Sequence, residues 1–167
     1  LINALKVISK SIEDKKLKII YRPHPWRQKR NNENFDEIDK LSNVIIDPQI
    51  SSAFNKIGDV NFQPELDYYN NLIKNSIYVI SPLSTFVLEA LICKKPVIVL
   101  IEDEINNFTS PLMVYNNYKH FEDIHHISNC YLLNNLNNFS SFHSKLFKED
   151  NYTEESKNKG IKYHVLF

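Results

Sequence analysis

The segment Ser81-Pro-Leu-Ser-Thr-Phe-Val-Leu-Glu-Ala-Leu-Ile-Cys-Lys-Lys-Pro-Val-Ile-Val-Leu100 constrains the fold more than any other stretch. It reads as a strand end, a polar turn, a short and almost wholly apolar helix, and a second strand. Pro96-Val-Ile-Val-Leu-Ile101 lacks polar alternation, the pattern of a strand covered on both faces. One carboxylate, Glu89, interrupts the helix. Phe86, Val87, Leu88, Ala90, Leu91 and Ile92 point in almost every other direction around its axis, so Glu89 is expected in a largely buried setting. An unpaired charge is costly there, and a partner is required. If the helix starts near Ser84, the free N–H groups of its first turn form an anion site, with Glu89 roughly 7 Å along at about 1.5 Å per residue. That separation suits a nucleotide, with phosphate at the helix start and a sugar hydroxyl donating to the carboxylate. Ser81 with Pro82 at the first helical position is a competing cap, so the start is open by one turn.

The rest of the chain repeats the alternation. Leu1 to Ile12 has helical spacing, Leu17 to Tyr21 is a short strand stopped by Arg22-Pro-His-Pro25, and Asn31 to Ser42 is weakly helical. Val44-Ile-Ile-Asp47 is a strand closed by Pro48, and Gln49 to Gln63 reads as irregular. Pro64 to Asn75 is a helix with Leu66, Tyr69, Leu72 and Ile73 on one side, leading into a strand at Ile77 to Ile80. Cys130-Tyr-Leu-Leu133 adds an edge strand and Leu136 to Phe147 a helix. Strands separated by helices imply parallel pairing, hence an α/β, Rossmann-like three-layer domain with a mainly parallel sheet over residues 1–150. Residues 151–167 read as a polar tail.

At 167 residues and 43% hydrophobic, the chain can bury a core as one domain. Lys plus Arg and Asp plus Glu both number 20, so no global field draws nucleic acid, and nucleic acid is not an expected partner. Cys93 and Cys130 stand far apart with no Cys-x-x-Cys pair, which fits a reducing compartment and plain buried thiols. There is no apolar run of the roughly 20 residues that span a bilayer, and no signal-peptide pattern. A cytoplasmic location is expected. The start at Leu1 rather than Met suggests an upstream part.

In an open parallel sheet, ligands bind outside the carboxyl ends of the strands. Arg22 to Trp26 follows the first strand there, and Ser81 to Thr85 follows the third. Arg22 and His24 each precede a proline, which biases both to extended geometry and stiffens the loop. With Arg27, Lys29 and Arg30 they form the most basic stretch of the chain, and an anion is its natural guest. His24 can donate to a phosphate or protonate a departing one. The alternatives are that His24 caps the strand, that the cations form a solvated face, and that Ser84 and Thr85 are an ordinary helix cap. Adjacent His125-His126 lacks helical ligand spacing, and no metal is expected. Glu102-Asp-Glu104 lies near the same edge as an acidic loop. Tyr21 and Trp26 fit core packing or loop anchoring better than stacking on a base. Two glycines leave no Gly-x-Gly-x-x-Gly and no Gly-Lys-Ser/Thr, so neither a dinucleotide cofactor nor a P-loop is expected.

Arg22-Pro-His-Pro25, Asp67-Tyr-Tyr-Asn70, Ser76, Ser81-Pro-Leu-Ser-Thr85, Glu89-Ala90 and Lys95-Pro-Val-Ile98 together resemble the carboxyl-terminal, donor-binding half of GT-B transferases. The nearest subgroups are the CDP-glycerol glycerophosphotransferases, the capsule-type Kdo transferases and the bacterial sialyltransferases with His-Pro and Ser/Thr motifs. The resemblance spans roughly Leu17 to Ile101. It implies transfer of a sugar or glycerol phosphate from a CMP- or CDP-linked donor to a bacterial surface glycan acceptor, without a cofactor. His24 would then be catalytic at the donor phosphate, and Arg22, Ser84, Thr85 and Glu89 would bind the donor, Glu89 at the ribose. It further implies a separate amino-terminal acceptor domain and work at the inner face of the plasma membrane by peripheral association. Two departures stand out: the glycerophosphotransferases carry Asp-Tyr-Ser-Ser where this chain has Ser81-Pro-Leu-Ser-Thr85, and glycine is common where Lys94-Lys95 precedes Pro96. UDP- or GDP-sugar glycosyltransferases, a UDP-sugar 2-epimerase and a non-catalytic interaction domain are the rival readings.

Overall fold

The computed structural model describes residues 2–13, 17–23, 35–54, 65–102, 110–148 and 163–166. Short β-branched runs build a six-stranded sheet: β1 (Lys18–Tyr21), β2 (Val44–Ile46), β3 (Ser76–Pro82), β4 (Val97–Leu100), β5 (Cys130–Leu133) and β6 (Tyr163–Leu166). Their spatial order is β2-β1-β6-β3-β4-β5, and every pairing is parallel. The helices are α1 (Ile2–Ile12), α2 (Phe35–Ile38), α3 (Pro48–Phe54), α4 (Leu66–Lys74), α5 (Thr85–Ile92), α6 (Pro111–Asn117) and α7 (Phe139–Lys148).

The two-residue period of a strand sends alternate side chains to opposite faces, and both faces are covered. Tyr78, Ile80, Ile98 and Leu100 join Leu5, Ile8 and Ile12 of α1 and Phe139 and Leu146 of α7 in one core. Val79, Val97 and Val99 join Ile73 of α4 and Phe86, Val87 and Ala90 of α5 in the other. The result is a three-layer α/β domain of Rossmann-like form. Each fully buried aliphatic side chain contributes about 1.5–3 kcal/mol, so β4, buried at all four positions, anchors both layers. No helix among the described residues is long and apolar enough to cross a membrane.

Three elements depart from the sequence reading. Residues 48–54, expected to be irregular, form α3, and α6 follows the undescribed residues 103–109. Tyr163–Leu166, assigned to a polar tail, forms β6 in the middle of the sheet, where its neighbours on both sides satisfy its backbone. With β6 in that slot, the order is the doubly wound 3-2-1-4-5-6 arrangement in cyclic permutation, the last strand standing where the first one usually does. The chain reverses its winding direction across β1, β6 and β3, and the crevice at their carboxyl ends is therefore the switch point.

Helix α5 ends on a Schellman motif, with Lys95 N donating to Ala90 O at 3.0 Å and Lys94 N to Leu91 O at 2.8 Å. The motif requires a left-handed residue, and Lys94 supplies it at φ 57°. A Cβ in that region costs about 1 kcal/mol, so Lys94→Gly is expected to raise stability by about 0.5–1 kcal/mol in chemical denaturation. A loss of stability on that substitution would contradict the cap.

Candidate functional site

The ladder between β1 and β2 continues one step past both strands, with Asp47 N donating to Tyr21 O at 2.8 Å. This sets Arg22 and Asp47 side by side at the carboxyl edge. Asp47 is fully buried and Arg22 is 6% exposed. Arg22 Nη1 donates to Asp47 Oδ2, and Nη2 donates to Gln49 Oε1 at 3.2 Å. The other carboxylate oxygen, Oδ1, accepts from Gln49 N at 2.9 Å and from the Tyr68 hydroxyl at 2.8 Å. Asp47 also opens α3, its backbone oxygen accepting from Ser51 N at 2.9 Å, with Pro48 at the first helical position. One carboxylate thus neutralises a buried cation, caps a helix and anchors α4.

Tyr68 and Tyr69 sit in the first turn of α4, at the same edge, and reach in different directions. Tyr68 goes to Asp47; burial, then the hydrogen bond to Asp47 and its charge, push the Tyr68 phenol up to about 12. Burial first, then the hydrogen bond to Glu89 and its charge, hold the Tyr69 phenol far above its ordinary value. The Tyr69 ring lies under the Arg22 guanidinium, with Cζ 5.2 Å from the ring centroid, and meets the Phe86 ring edge-on at 5.2 Å and 64°. A continuous chain of contacts therefore runs from Asp47 through Arg22 and Tyr69 to Phe86.

Glu89 is half-buried. The apolar cover expected around it is incomplete, because α5 packs on the sheet by one face only: Phe86, Val87 and Ala90 are buried, while Leu88 and Ile92 are 50% and 79% exposed. Its charge is one of the influences that raise the Tyr69 phenol.

Ser84 takes the N-cap position of α5 in extended geometry, which excludes the competing start at Ser81 and Pro82. Its side chain makes no capping bond. Instead its hydroxyl lies 3.1 Å from the hydroxyl of buried Ser81, which itself donates to Pro82 O at 2.9 Å. Thr85, the first helical residue, is exposed.

The structure thus brings Arg22, Ser84, Thr85 and Glu89 to one edge, where the Arg22 guanidinium is enclosed and paired with Asp47. His24 lies outside the described residues, as do Trp26, Arg27, Lys29, Arg30, Asp103 and Glu104. Glu102 follows β4 and is half-buried. His125 and His126 stack with ring centroids 3.8 Å apart, and Tyr115 Oη lies 2.8 Å from His125 Nδ1. Among the described residues no group of three or more His, Cys, Asp or Glu side chains is arranged to hold a metal ion. Cys93 and Cys130 are free thiols, the first half-buried and the second buried. The sequence reading missed Asp47, Gln49 and the roles of Tyr68 and Tyr69. Asp47-Pro48 carried a readable signal, an N-cap followed by proline at the first helical position.

Compared with models of known protein families, with curated proteins and with solved structures, the chain finds no match.

Proposed function

We propose that this edge binds a nucleotide-activated donor, and that the domain is the donor-binding half of a GT-B transferase working on a bacterial surface glycan. The observation that carries the reading is Glu89: a half-buried carboxylate in α5, at the edge where the winding of a parallel sheet reverses. In this reading Glu89 accepts from the donor ribose, and the first turn of α5 with the Ser84 and Thr85 hydroxyls receives phosphate. The acceptor hydroxyl oxygen bonds to the donor's transferred carbon as the bond from that carbon to the phosphate oxygen breaks. The electron pair stays on the nucleotide phosphate, His24 supplies a proton to it, and the acceptor's proton passes to a base. No metal is needed where helix N–H groups and cationic side chains stabilise the departing phosphate.

Titration calorimetry with CMP, CDP, UDP and GDP tests this and ranks the cytidine donor against its UDP and GDP rivals. Glu89→Ala is expected to weaken the preferred nucleotide about 10- to 100-fold, the worth of a charge-assisted hydrogen bond. His24→Ala is expected to leave affinity within about twofold and to cut turnover by about 10²-fold or more. If no nucleotide binds, or if Glu89→Ala binds as the unsubstituted chain does, the reading fails.

A further inference from the structure

We infer that the outer face of α4 and α5 is a self-complementary docking surface, and that a second copy of this chain, turned end for end about a twofold axis, covers it. The inference goes beyond the nucleotide reading and does not depend on it. It stands on apolar exposure and charge placement in the helix layer, apart from the crevice.

The two helix layers differ in how they meet water. Leu66 on α4, Leu88 and Ile92 on α5 and Met113 on α6 are exposed, Leu66 and Ile92 to 77% and 79%. On the opposite layer α1 and α7 show no exposed large apolar side chain among the described residues, because Leu5, Ile8 and Ile12, like Phe139 and Leu146, turn to the sheet. Leu88 and Ile92 stand one turn apart on the same side of α5, so they form a stripe rather than scattered points. An apolar stripe rimmed by polar residues is the mark of an interaction site.

Charge decides what covers it. Asn75 alone separates α4 from the start of β3, and α5 follows the end of β3, so both helices run from the carboxyl edge of the sheet to its amino edge. The Tyr69 and Phe86 rings meet edge-on and set the two helices side by side. Glu65 and Asp67 are exposed at the carboxyl-edge end of α4, Lys74 is exposed at its other end, and Lys94, with half-buried Lys95 beside it, is exposed past the same end of α5. Half-buried Glu89 lies between the two ends. Among the described residues ion pairs join only Lys6 to Glu37 and Arg22 to Asp47, so Glu65, Asp67, Lys74 and Lys94 are matched by no opposite charge there. An anionic lipid surface or a nucleic acid would gain at the lysines and lose at the carboxylates. A second copy, related by a twofold axis that lies in the face and crosses the helices, runs antiparallel and brings acidic end onto basic end twice over. The same operation lays the Leu88 and Ile92 stripes of the two copies together and opposes their helix dipoles. One isologous contact thus satisfies the apolar stripe and both charged ends, which no uniformly charged partner does.

Sedimentation velocity on the unsubstituted chain, from about 1 to about 500 µM, is expected to show a reversible monomer–dimer equilibrium with a dissociation constant of about 10–100 µM, the strength of a small interface. Raising salt from about 0.05 to about 0.5 M is expected to weaken it. Ile92→Asp is expected to raise the constant about 100-fold, leaving a monomer over the whole range, since the twofold axis places the change in the contact twice. Lys94→Glu is expected to raise it about tenfold, and Asp67→Lys added to Lys94→Glu to return it to within about threefold, because the exchange restores opposite signs across the contact. All three positions are exposed, and a retained cooperative thermal transition checks that each variant folds. Where a transition is lost, Leu88→Asp replaces Ile92→Asp and Lys74→Glu replaces Lys94→Glu, with the same results expected. A chain that stays monomeric throughout overturns the inference, as does a dimer that withstands Ile92→Asp or a charge exchange that fails to restore association. Sedimentation of a monomer with anionic-lipid vesicles, lost on Ile92→Asp, assigns the face to a membrane and overturns it as well. Each of these outcomes leaves the nucleotide reading standing, since calorimetry at the crevice decides that separately.

Discussion

Asp47→Ala is expected to lower the midpoint of thermal unfolding by about 6–20 °C. Removing one partner of a buried ion pair leaves the other charge uncompensated, at a cost of about 3–5 kcal/mol, and each kcal/mol shifts the midpoint of a domain of this size by about 2–4 °C. Here the orphaned group is the Arg22 guanidinium, 6% exposed and with no room to be hydrated in place. The loss spreads further, because the same carboxylate accepts from Tyr68 and from the Gln49 backbone at the opening of α3. A compensated double substitution separates the charge from the packing. Arg22→Met with Asp47→Leu replaces the pair by apolar groups of similar volume, and such replacements are often neutral, so the double variant is expected to melt above the single one. An Asp47→Ala midpoint within 2 °C of the unsubstituted chain would mean that Arg22 finds water or another anion, and the account of the edge given above would be wrong.

The same pair shows how far the sequence could be read. The unit from β3 through α5 to β4 was legible because its signals are local: an apolar run for a two-faced strand, a serine in extended geometry before the helix, prolines at the boundaries. Glu89 was legible as a carboxylate in need of a partner, since an isolated acid in an apolar helix is rare for physical reasons. What stands near it in space was not legible. Tyr69 stands 20 residues earlier on another helix and looked like one more member of an apolar stripe. Arg22 was placed correctly at the carboxyl edge, but no local pattern announces that a carboxylate from the next strand will meet it. Asp47 itself looked like a strand terminator, and its capping of α3 was hidden behind the same proline that ends β2. The exposed Leu88 and Ile92 follow a similar rule: composition sets how apolar a helix is, but the layer count decides how many of its faces are covered.

The strand that sequence patterning did not separate from the polar run before it is the one whose loss should be most severe. Deleting residues 161–167 removes β6, which pairs with β1 from Lys18↔Tyr163 to Tyr21↔Leu166 and with β3 through Val79↔Val165 and Ile80↔Leu166. β1 and β3 are not neighbours otherwise, so the sheet would separate into a two-stranded piece, β2-β1, and a three-stranded piece, β3-β4-β5. An isolated strand pair is marginal in water, and the two new inner edges would present unpaired backbone groups flanked by the most apolar strands of the molecule. The expected result is loss of the cooperative thermal transition in circular dichroism, with aggregation on gel filtration. Proline scanning gives a graded version of the experiment. Val165→Pro removes a ladder donor from a strand bonded on both sides and should unfold the domain, whereas Ile46→Pro in β2, at a position of the edge strand whose N–H faces away from β1, should cost far less. The edge and centre positions are chemically similar before substitution, so a difference between them can only come from where each strand sits. A deletion variant that melts cooperatively at the parent temperature, or two proline variants of equal stability, would show that β6 does not hold the two halves of the sheet together.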